Sequence, residues 1–442
     1  MKKHPLILVA LLTCAFGVST SVAVFAEQSS DGGGSDHAAA QGHDASEQDP
    51  VVTKDKDTYG HLKLEDRFGV TFHEHAKVCT DTPAGEMHCD ARVVLDPQKS
   101  PSASAQPRGY GPAQFLKAYN LSQAAGSLPI IAIVDAYDDP NIARDLATYS
   151  STFNIPQLPT CTGPIAASAT PCFQKVNQQG KTSSYPAVNA GWALEISLDV
   201  EAAHAVCQNC SILLVEANSS TYANLMTSVD KAVALGATVV SNSYGSNEFA
   251  GETSYDTHFN HPGVVFTFSS GDSGYGAEYP AASQYVTAVG GTTLLLNPDS
   301  SYNQELAWSG AGSGCSSYEA KPSWQTDAQC SHRTVADVSA DADPNTGAAV
   351  YDTVRYGGKS GWFQVGGTSL SSPLIAAVYA LSGNIPSALP ENSLPYLLSS
   401  PLTLNDVTGG SNGSCNGSYL CTAVPTYDGP TGLGSPHGTG AF

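Results

Sequence analysis

Short apolar runs alternate with helical segments after residue 108, and this alternation restricts the possible folds more than any other feature of the chain. The apolar runs, which we predict to be buried strands, cover 130–134, 211–215, 238–241, 264–268 and 285–289. The segments with helical spacing cover 143–153, 189–206 and 222–235. Unbroken apolar strands separated by helices are typical of a parallel sheet with helices on both faces. We therefore predict an α/β fold with a mostly parallel sheet, as a single large domain over 108–442.

The preceding residues have a different composition and predict an exported protein. Residues 1–26 combine a basic start, an apolar stretch and small residues up to Ala26, as in a signal peptide cleaved after that residue. Ser, Gly, Asp, His and Gln dominate 27–58, and a Ser, Pro, Ala and Gln linker covers 99–107. We predict a disordered leader and a short pro-region over 27–107, ending in a cleavable joint. No later run reaches the roughly 20 apolar residues that span a bilayer, so we expect a secreted protein without membrane contact after signal removal.

Eleven cysteines are present, and ten remain when Cys14 of the signal segment is set aside. In an exported chain, their close spacing predicts five local disulfides, Cys79–Cys89, Cys161–Cys172, Cys207–Cys210, Cys315–Cys330 and Cys415–Cys421. The spacing does not prove this connectivity, and the Cys207/Cys210 pair also fits a redox or metal motif. Zinc is disfavoured because the chain has no second such pair and no histidine pair at ligand spacing.

The charge balance is acidic, with 40 Asp and Glu against 19 Lys and Arg and a net charge of −21. Charged residues make up 13% of the chain, which is about half of the usual share of roughly 25%. A protein with few cations has few native ion pairs to lose when its carboxylates are protonated, so the composition suits acid. The absence of a basic patch from the sequence argues against nucleic acid and anionic membranes as partners.

A candidate nucleophile lies in the segment 365–373, which reads Val-Gly-Gly-Thr-Ser-Leu-Ser-Ser-Pro and precedes an apolar run over 374–381. The pattern predicts that Ser369 stands at the start of a buried helix, with Pro373 in the first turn. Backbone N–H groups at such a position favour developing negative charge. The alternative is an ordinary capped core helix, since Ser and Thr are among the commonest N-caps.

Carboxylates that could serve this serine occur in two places. Glu195 and Asp199 are four residues apart in an apolar helical segment, so they share one face, and two such charges are expected to share a proton in acid. Acidic pairs at this spacing are most often surface features. Asp272 follows a predicted strand in Ser-Ser-Gly-Asp-Ser-Gly. It either forms an Asx turn or, when protonated, reaches the site of Ser369 to donate a hydrogen bond to an oxyanion.

These segments together resemble the sedolisins, or serine-carboxyl peptidases, which are relatives of subtilisin that work in acid. The resemblance rests on Glu195 and Asp199, on Asp272, on the stretch YPAASQYVTAVGGT over 279–292, and on Ser369 in GGTSLSSP, all in the family's order. It covers the chain from near Gly109 to the C-terminus. The resemblance implies a subtilisin-like fold and a secreted, acid-acting serine endopeptidase. A monomer acting on protein and peptide substrates is expected.

The resemblance also implies a role for each residue. Ser369 corresponds to the nucleophile, Glu195 to its general base and Asp199 to the residue that orients Glu195. Asp272 corresponds to the oxyanion-hole donor, beside the backbone N–H of Ser369. A histidine base is protonated below about pH 6.5, whereas a carboxylate with a pKa near about 4 still accepts a proton there. No histidine lies in a segment like the one that holds the base in subtilisins, and we interpret Asp135 as structural or as flanking the site.

The resemblance further implies one structural Ca²⁺ near the C-terminus. Its ligands would be the carboxylates of two residues and the backbone carbonyls of three, namely Asp406, Asp428, Val407, Val424 and Thr426. The family usually has glycines where this chain has Val424 and Thr426. The alternative is that the two aspartates cap turns. Family members also often carry a large folded pro-domain, whereas about 80 residues separate Ala26 from the end of the linker here.

A different class of function remains as the alternative, a catalytically silent secreted binding or surface protein on the same fold. The complete set of Glu195, Asp199, Asp272 and Ser369 argues against it, because a silent protein has no physical need for two buried carboxylates.

Overall fold

The computed structural model describes residues 52–53, 70–80, 82–123, 129–385 and 389–442. The predicted signal peptide and nearly all of the predicted disordered leader lie outside these residues. The helices are α1 (Pro112–Ala118), α2 (Ile142–Phe153), α3 (Ala190–Val206), α4 (Tyr222–Ala234), α5 (Thr368–Ser382) and α6 (Leu394–Leu398). Short 3₁₀ helices cover Ile165–Ala167, Glu252–His258 and Glu391–Ser393.

The strands fall into an N-terminal group, a central group and a C-terminal group. The N-terminal strands are β1 (Val52–Thr53), β2 (His75–Lys77), β3 (His88–Cys89), β4 (Arg92–Val94) and β5 (Ala103–Ser104). The central strands are β6 (Ile130–Ala136), β7 (Phe173–Asn177), β8 (Ser211–Ala217), β9 (Val239–Asn242), β10 (Tyr244–Asn247), β11 (Val265–Ser269), β12 (Glu278–Tyr279), β13 (Thr287–Leu296) and β14 (Tyr302–Ala307). The C-terminal strands are β15 (Gly314–Ala320), β16 (His332–Val335), β17 (Val338–Asp341), β18 (Ala348–Tyr356), β19 (Lys359–Gly366), β20 (Leu404–Asn405) and β21 (Ser435–Pro436).

The central sheet has the order β14-β13-β11-β9-β6-β8-β7, with β17 also paired to β13. Every pairing is parallel except that between β13 and β14. The mostly parallel α/β fold predicted from the apolar runs is therefore confirmed. In such a sheet, functional groups collect beyond the carboxyl ends of the strands, and these ends position the site described below.

One strand differs in extent from its prediction, because β13 begins at Thr287 and continues to Leu296. In the sequence, Gly290 and Gly291 are consistent with a turn after residue 289, but in the structure they lie within the strand and allow close packing. A side-chain carbon on Gly290 would lie 2.1 Å from the carbonyl oxygen of Pro430, and one on Gly291 would lie 2.6 Å from Ala342. The two glycines thus allow other segments to pack directly against the strand.

Helix α3 is buried from Trp192 to Val206, in keeping with the absence of a polar stripe from its sequence. Its first turn is capped by Asn189, whose side chain accepts hydrogen bonds from the backbone N–H groups of Gly191 and Trp192. The helix packs against α5 and β18. An i,i+4 acidic pair on this helix is therefore an interior feature and not a surface one.

The segment predicted as a pro-region is folded onto the α/β domain where it is described. Strands β2 and β4 extend a second sheet in the order β1-β2-β4-β19-β18, and β5 also pairs with β19. Strand β3 pairs with β10, which follows a central strand. The boundary drawn at residue 107 therefore does not mark a break in packing, and the release of the segment before it stays a prediction.

All five predicted disulfides are present, so the predicted connectivity is confirmed. They join Cys79–Cys89, Cys161–Cys172, Cys207–Cys210, Cys315–Cys330 and Cys415–Cys421. Among the described residues, no helix combines the length and the apolar character that crossing a membrane requires.

Candidate active site

Ser369 is the second residue of α5, which begins directly after β19. The chain turns between them at Gly367, whose φ is +96°. A side-chain carbon on this glycine would lie 2.1 Å from the carbonyl oxygen of Asp90 and 2.6 Å from Oδ2 of Asp272. The backbone conformation and these two neighbours both require glycine.

The helix starts earlier relative to Pro373 than the sequence predicts. Because α5 begins at Thr368, Pro373 lies in the second turn and not in the first. A proline there cannot donate to the carbonyl four residues earlier, which belongs to Ser369. The hydroxyl of Ser243 donates to that carbonyl at 3.4 Å, so a side chain replaces the missing helical bond.

Three fully buried carboxyl groups lie together near Ser369. Glu195 and Asp199 come from α3, and Asp135 comes from the carboxyl end of β6. One carboxylate oxygen from each residue lies within 4.8 Å of the others. Asp135, which we interpreted as structural or as flanking the site, therefore belongs to the carboxyl cluster itself. Its position at a strand end next to the predicted site was the signal in the sequence.

Burial is the main cause of the pKa shifts in this cluster. It raises the pKa of Glu195 well above its usual value, and the neighbouring charges of Asp199 and Asp135 raise it further. Burial and Asp135 likewise raise the pKa of Asp199, while burial raises the pKa of Asp135 to about 8. Three buried carboxyls at this separation cannot all be ionised, so the cluster retains protons over a wide pH range.

The hydroxyl of Ser369 faces both the carboxyl cluster and the backbone after β9. It donates a hydrogen bond to the carbonyl oxygen of Ser243 at 3.2 Å. Its interaction with Glu195 offsets part of the rise in the pKa of that carboxyl, although neither carboxylate oxygen of Glu195 has a hydrogen-bond partner among the described residues. The serine therefore stands beside a carboxyl group that can accept its proton.

Asp272 follows β11 and reaches across to the start of α5. Its Oδ1 accepts hydrogen bonds from the backbone N–H of Thr368 at 2.7 Å and from the Thr368 hydroxyl at 3.1 Å. Arg92 lies 3.4 Å from Oδ2. Burial raises the pKa of Asp272 to about 7 against the opposing charge of Arg92, so the carboxyl is neutral in acid and then has a proton to donate.

The C-terminal candidate ligands lie in one loop cluster. The carboxylate of Asp406 accepts from the backbone N–H of Thr426 at 3.0 and 3.2 Å. Asp428 accepts from the N–H of Val424 at 3.1 Å and from both the N–H and the hydroxyl of Thr431 at 2.9 Å. These bonds are of the kind that the turn-capping alternative requires.

The same cluster also meets a test for a hard cation. Asp428 is buried, and burial, together with the charge of Asp406 among the weaker causes, raises the pKa of its carboxyl to about 7. Thr426 has a φ of +82°, a conformation usual for glycine, so the backbone form of the family's glycine is retained. No hydrogen bond among the described residues reaches the carbonyl oxygens of Val407, Val424 or Thr426. These oxygens and the two carboxylates fit Ca²⁺.

Two residues of the site have no counterpart in the sequence predictions. Asp90 contacts Ser369 and Arg92 contacts Asp272, although both residues belong to the predicted pro-region. Their neighbour Cys89, with its disulfide to Cys79, was the sole signal that this segment is ordered.

The parallel sheet, the serine at a helix start and the carboxyl groups around it define a subtilisin-like protein with acidic residues at its serine. The chain belongs to the subtilase family, because the family model described as "Subtilase family" matches residues 161–404. Its sedolisin-like character rests on the relatives described next. The chain is similar to Sedolisin of Pseudomonas sp. (strain 101), with 36% identity over 203 residues, and to Kumamolisin of Bacillus sp. (strain MN-32), with 30% identity over 380 residues.

The matches differ in how much of each chain they cover. The alignment with Sedolisin covers 39% of this chain and 33% of that protein, and the alignment with Kumamolisin covers 76% and 64%. The chain thus spans between a third and somewhat less than two thirds of these relatives. Among solved structures, the complex of Pseudomonas sedolisin with two molecules of pseudo-iodotyrostatin matches with a TM-score of 0.61 and 26% identity, covering 75% of this chain and 96% of that one.

Proposed function

We propose that the protein is a serine-carboxyl peptidase that hydrolyses peptide bonds in acid through an acyl-enzyme on Ser369. The observation that carries the proposal is the position of Ser369 between two kinds of carboxyl group. On one side lies the buried cluster of Asp135, Glu195 and Asp199, and on the other lies Asp272, bonded to the residue before the serine. This arrangement supplies a base and an oxyanion donor without a histidine.

In the proposed reaction, Ser369 Oγ attacks the substrate carbonyl and Glu195 accepts the hydroxyl proton. Asp199 and Asp135 act as positioning residues, because their shared protons and charges set the protonation of Glu195. The backbone N–H of Ser369 and the protonated carboxyl of Asp272 donate to the oxyanion. Glu195 then returns its proton to the leaving nitrogen, and water hydrolyses the ester in the reverse sequence of proton transfers.

The reaction requires opposite protonation states in two places. Glu195 must be ionised to accept a proton, whereas Asp272 must be neutral to donate one. Burial raises the pKa of Asp272 to about 7, so its donor form is lost as the pH rises through neutrality. The activity is therefore expected to decline as the pH rises above about 7, while the raised pKa of Glu195 limits the activity at the acidic end.

Cleavage within chains, as by an endopeptidase, is supported by the space beside β10. A cavity of about 890 Å³ lies there, lined by Tyr222, Phe249 and Tyr255 and also by Lys77, Glu86 and His88 of the predicted pro-region. It offers room for side chains several positions before the bond to be cut. We further propose that the protein is secreted as a monomer and acts on protein and peptide substrates. Secretion agrees with the predicted signal peptide and with the five disulfides, which suit an oxidising compartment.

The C-terminal cluster is proposed to hold one structural Ca²⁺. Asp406 and Asp428 would supply carboxylate oxygens, and Val407, Val424 and Thr426 would supply carbonyl oxygens. A bound calcium ion supplies positive charge that offsets the repulsion between the two aspartates. The family likeness also supports a proposed organisation of the chain. A leader and pro-region cover 27–107, and the peptidase domain covers 108–442.

The decisive experiment is cleavage of a denatured protein in acid by the full chain and by Ser369→Ala. Wild type should release peptides, and the variant should lose nearly all activity because the nucleophile is gone. Ser371→Ala serves as a matched control, since this serine lies in the same helix and donates to the carbonyl of Thr368. Equal digestion by wild type and Ser369→Ala would refute the nucleophile, and no digestion by wild type would favour the silent binding protein.

A further inference from the structure

An extended segment of the chain runs across Ser369 and is paired on both sides of it. His88 and Cys89 pair antiparallel with Gly245 and Tyr244 of β10. Beyond the serine, strand β4 pairs antiparallel with β19. The two ladders hold the intervening residues in a fixed register, as a peptide is held when it adds a strand to a sheet edge.

The residue at the serine in this register is Asp90. Its carbonyl oxygen accepts a hydrogen bond from the backbone N–H of Ser369 at 2.9 Å, and its own N–H donates to the carbonyl of Ser243 at 3.2 Å. The same carbonyl oxygen and Oδ2 of Asp272 both lie against Gly367. The carbonyl oxygen of Asp90 is therefore bonded to one of the two proposed oxyanion donors and lies against the same glycine as the other, and its distance of 2.9 Å from the Ser369 nitrogen is within the range that such donors require.

The side chain of Asp90 fills a buried pocket beside the serine. Its Oδ2 accepts from the hydroxyl of Ser269 at 2.6 Å, and its Oδ1 lies 3.2 Å from Nδ1 of His88. Glu278 completes the group, with one ligand atom of each of His88, Asp90 and Glu278 within 4.8 Å of the others. Burial raises the pKa of Glu278 to about 8, so in acid this carboxyl carries a proton and has a donor to offer Asp90.

The next residues anchor the segment on the far side. Arg92 donates to the backbone carbonyl of Asp272 at 2.5 Å and lies 3.4 Å from its carboxylate. The carbonyl of Ala91 accepts from the N–H of Val78 at 2.9 Å. The peptide bond between Asp90 and Ala91 is thus held on both sides directly at Ser369.

We propose that residues 88–92 lie in the substrate cleft as a built-in substrate and that the protein cuts its own Asp90–Ala91 bond, with Asp90 in the pocket that selects the side chain before the cut. This inference rests on the proposed function. It moves the expected processing point from the linker over 99–107 to a bond inside the folded segment.

The cut follows the proposed chemistry atom for atom. Ser369 Oγ bonds to the carbonyl carbon of Asp90 as Glu195 takes the hydroxyl proton, and the bond to the nitrogen of Ala91 breaks as that nitrogen receives the proton. Water then hydrolyses the ester to a carboxyl group on Asp90 and restores the hydroxyl of Ser369. One water molecule is consumed, and no oxidant or further reactant is needed.

The geometry also predicts the behaviour of the two products. The Cys79–Cys89 disulfide lies wholly within the fragment that ends at Asp90, so it does not tether the products to each other. Where it is described, the fragment is held by noncovalent contacts, namely the β2–β4 and β3–β10 pairings and the burial of Val78, Met87 and Cys89 in the hydrophobic core. It therefore continues to block the cleft until these pairings open.

The test is mass spectrometry and N-terminal analysis of the full chain after acidification. Wild type should give a new N-terminus at Ala91 and a fragment ending at Asp90, and Ser369→Ala should remain intact. Ala91→Pro should block the cut and delay digestion of added protein, because the nitrogen of the bond to be broken then belongs to the proline ring and carries no hydrogen. Ala105→Pro, in the exposed linker, is the matched control and should be cut like wild type.

Two outcomes separate this inference from the proposed function. If wild type digests denatured protein while its own chain is cut elsewhere, for example within 99–107, the inference fails and the function stands. If wild type digests nothing, the function itself fails. A synthetic peptide of residues 87–94 gives a second measurement that does not depend on how Ala91→Pro folds. Activated wild type should cut it after Asp90, and cleavage at another bond would contradict the proposal.

Discussion

Asp272 accepts hydrogen bonds from both the backbone N–H and the hydroxyl of Thr368, at 2.7 and 3.1 Å. These bonds tie the turn after β11 to the first residue of α5. They fix one oxygen of the carboxyl, so that the other faces the position of the proposed oxyanion. The relationship fixes the geometry of the donor, whereas the same two bonds lower the pKa of Asp272 and so partly offset the burial that keeps the carboxyl neutral.

Substitutions of Asp272 should therefore distinguish the hydrogen bond that its side chain donates from the effect of its titration on the pH profile. Asp272→Ala should lower kcat in acid by about 10²- to 10³-fold, the usual loss on removal of an oxyanion donor. Asp272→Asn keeps a donor that does not titrate, so its pH–rate profile should extend further towards neutrality than that of wild type. Asp230→Asn, on an exposed carboxyl, is the control for loss of a charge. If the pH–rate profile of Asp272→Asn ended at the same pH as that of wild type, Asp272 would not be the oxyanion donor.

Asp135→Asn should change the pH profile on its acidic side. The charge of Asp135 raises the pKa of Glu195, so its removal should let Glu195 ionise at lower pH. The acidic limb of kcat/KM should move down, while the limb set by Asp272 should stay in place. Asp139→Asn is the matched control, because Asp139 lies on the same segment and bonds to Asn141 and Ser197. If both variants shift the limb equally, Asp135 has no special coupling to Glu195.

Stability should fall as the pH rises from about 4 to 8. The folded pKa of Asp135 is about 8 and that of Asp272 about 7, each raised mainly by burial. The folded state therefore binds more protons than the unfolded chain across this window, and each such group contributes up to about 1.4 kcal/mol per pH unit. Its contribution is complete below the unfolded pKa and is lost as the pH rises through the folded pKa.

Thermal denaturation of the Ser369→Ala form, which avoids self-digestion, measures this effect. The Tm should decrease from pH 4 to pH 8, and it should decrease less when Asp135→Asn is added. A Tm that reaches its maximum near pH 8 would mean that the buried carboxyls are stabilised as anions.

Chelation should destabilise the protein if the C-terminal cluster holds Ca²⁺. A chelator should lower the Tm of wild type, since binding to the folded state alone stabilises it, and added Ca²⁺ should restore it. Asp406→Asn should show a lower Tm that responds weakly to either addition. Asp299→Asn, on an exposed carboxylate, is the control. A wild-type Tm that is indifferent to chelator would leave the two aspartates as turn caps.

The sequence predicted the disulfides and five strands of the central sheet because these depend on local patterns, whereas β7, β14 and β17 of the same sheet were not predicted. Apolar runs identify buried strands wherever the neighbouring helices also have clear spacing, as around β6 and β8. The end of β13 was harder to predict, since a pair of glycines is as typical of a turn as of a close contact between strands. Its contacts with Pro430 and Ala342 come from distant parts of the chain.

The carboxyl cluster could be predicted only in part. Glu195 and Asp199 share a helix face, which spacing reveals, but the approach of Asp135 depends on how β6 and α3 pack together. The path of residues 88–92 depends on two ladders with strands that lie more than a hundred residues away in sequence. No property of a short window identifies the partner of such a strand.

The burial of α3 from Trp192 to Val206 has a consequence for engineering the protein. Its carboxyls are insulated from the solvent, so dissolved salt, which screens exposed charges over about 10 Å at 0.1 M, has little access to them. Redesign of surface charge to change solubility should therefore leave the working pH unaltered. Tuning that pH requires substitutions among interior groups, either those of the carboxyl cluster on the helix or Asp272.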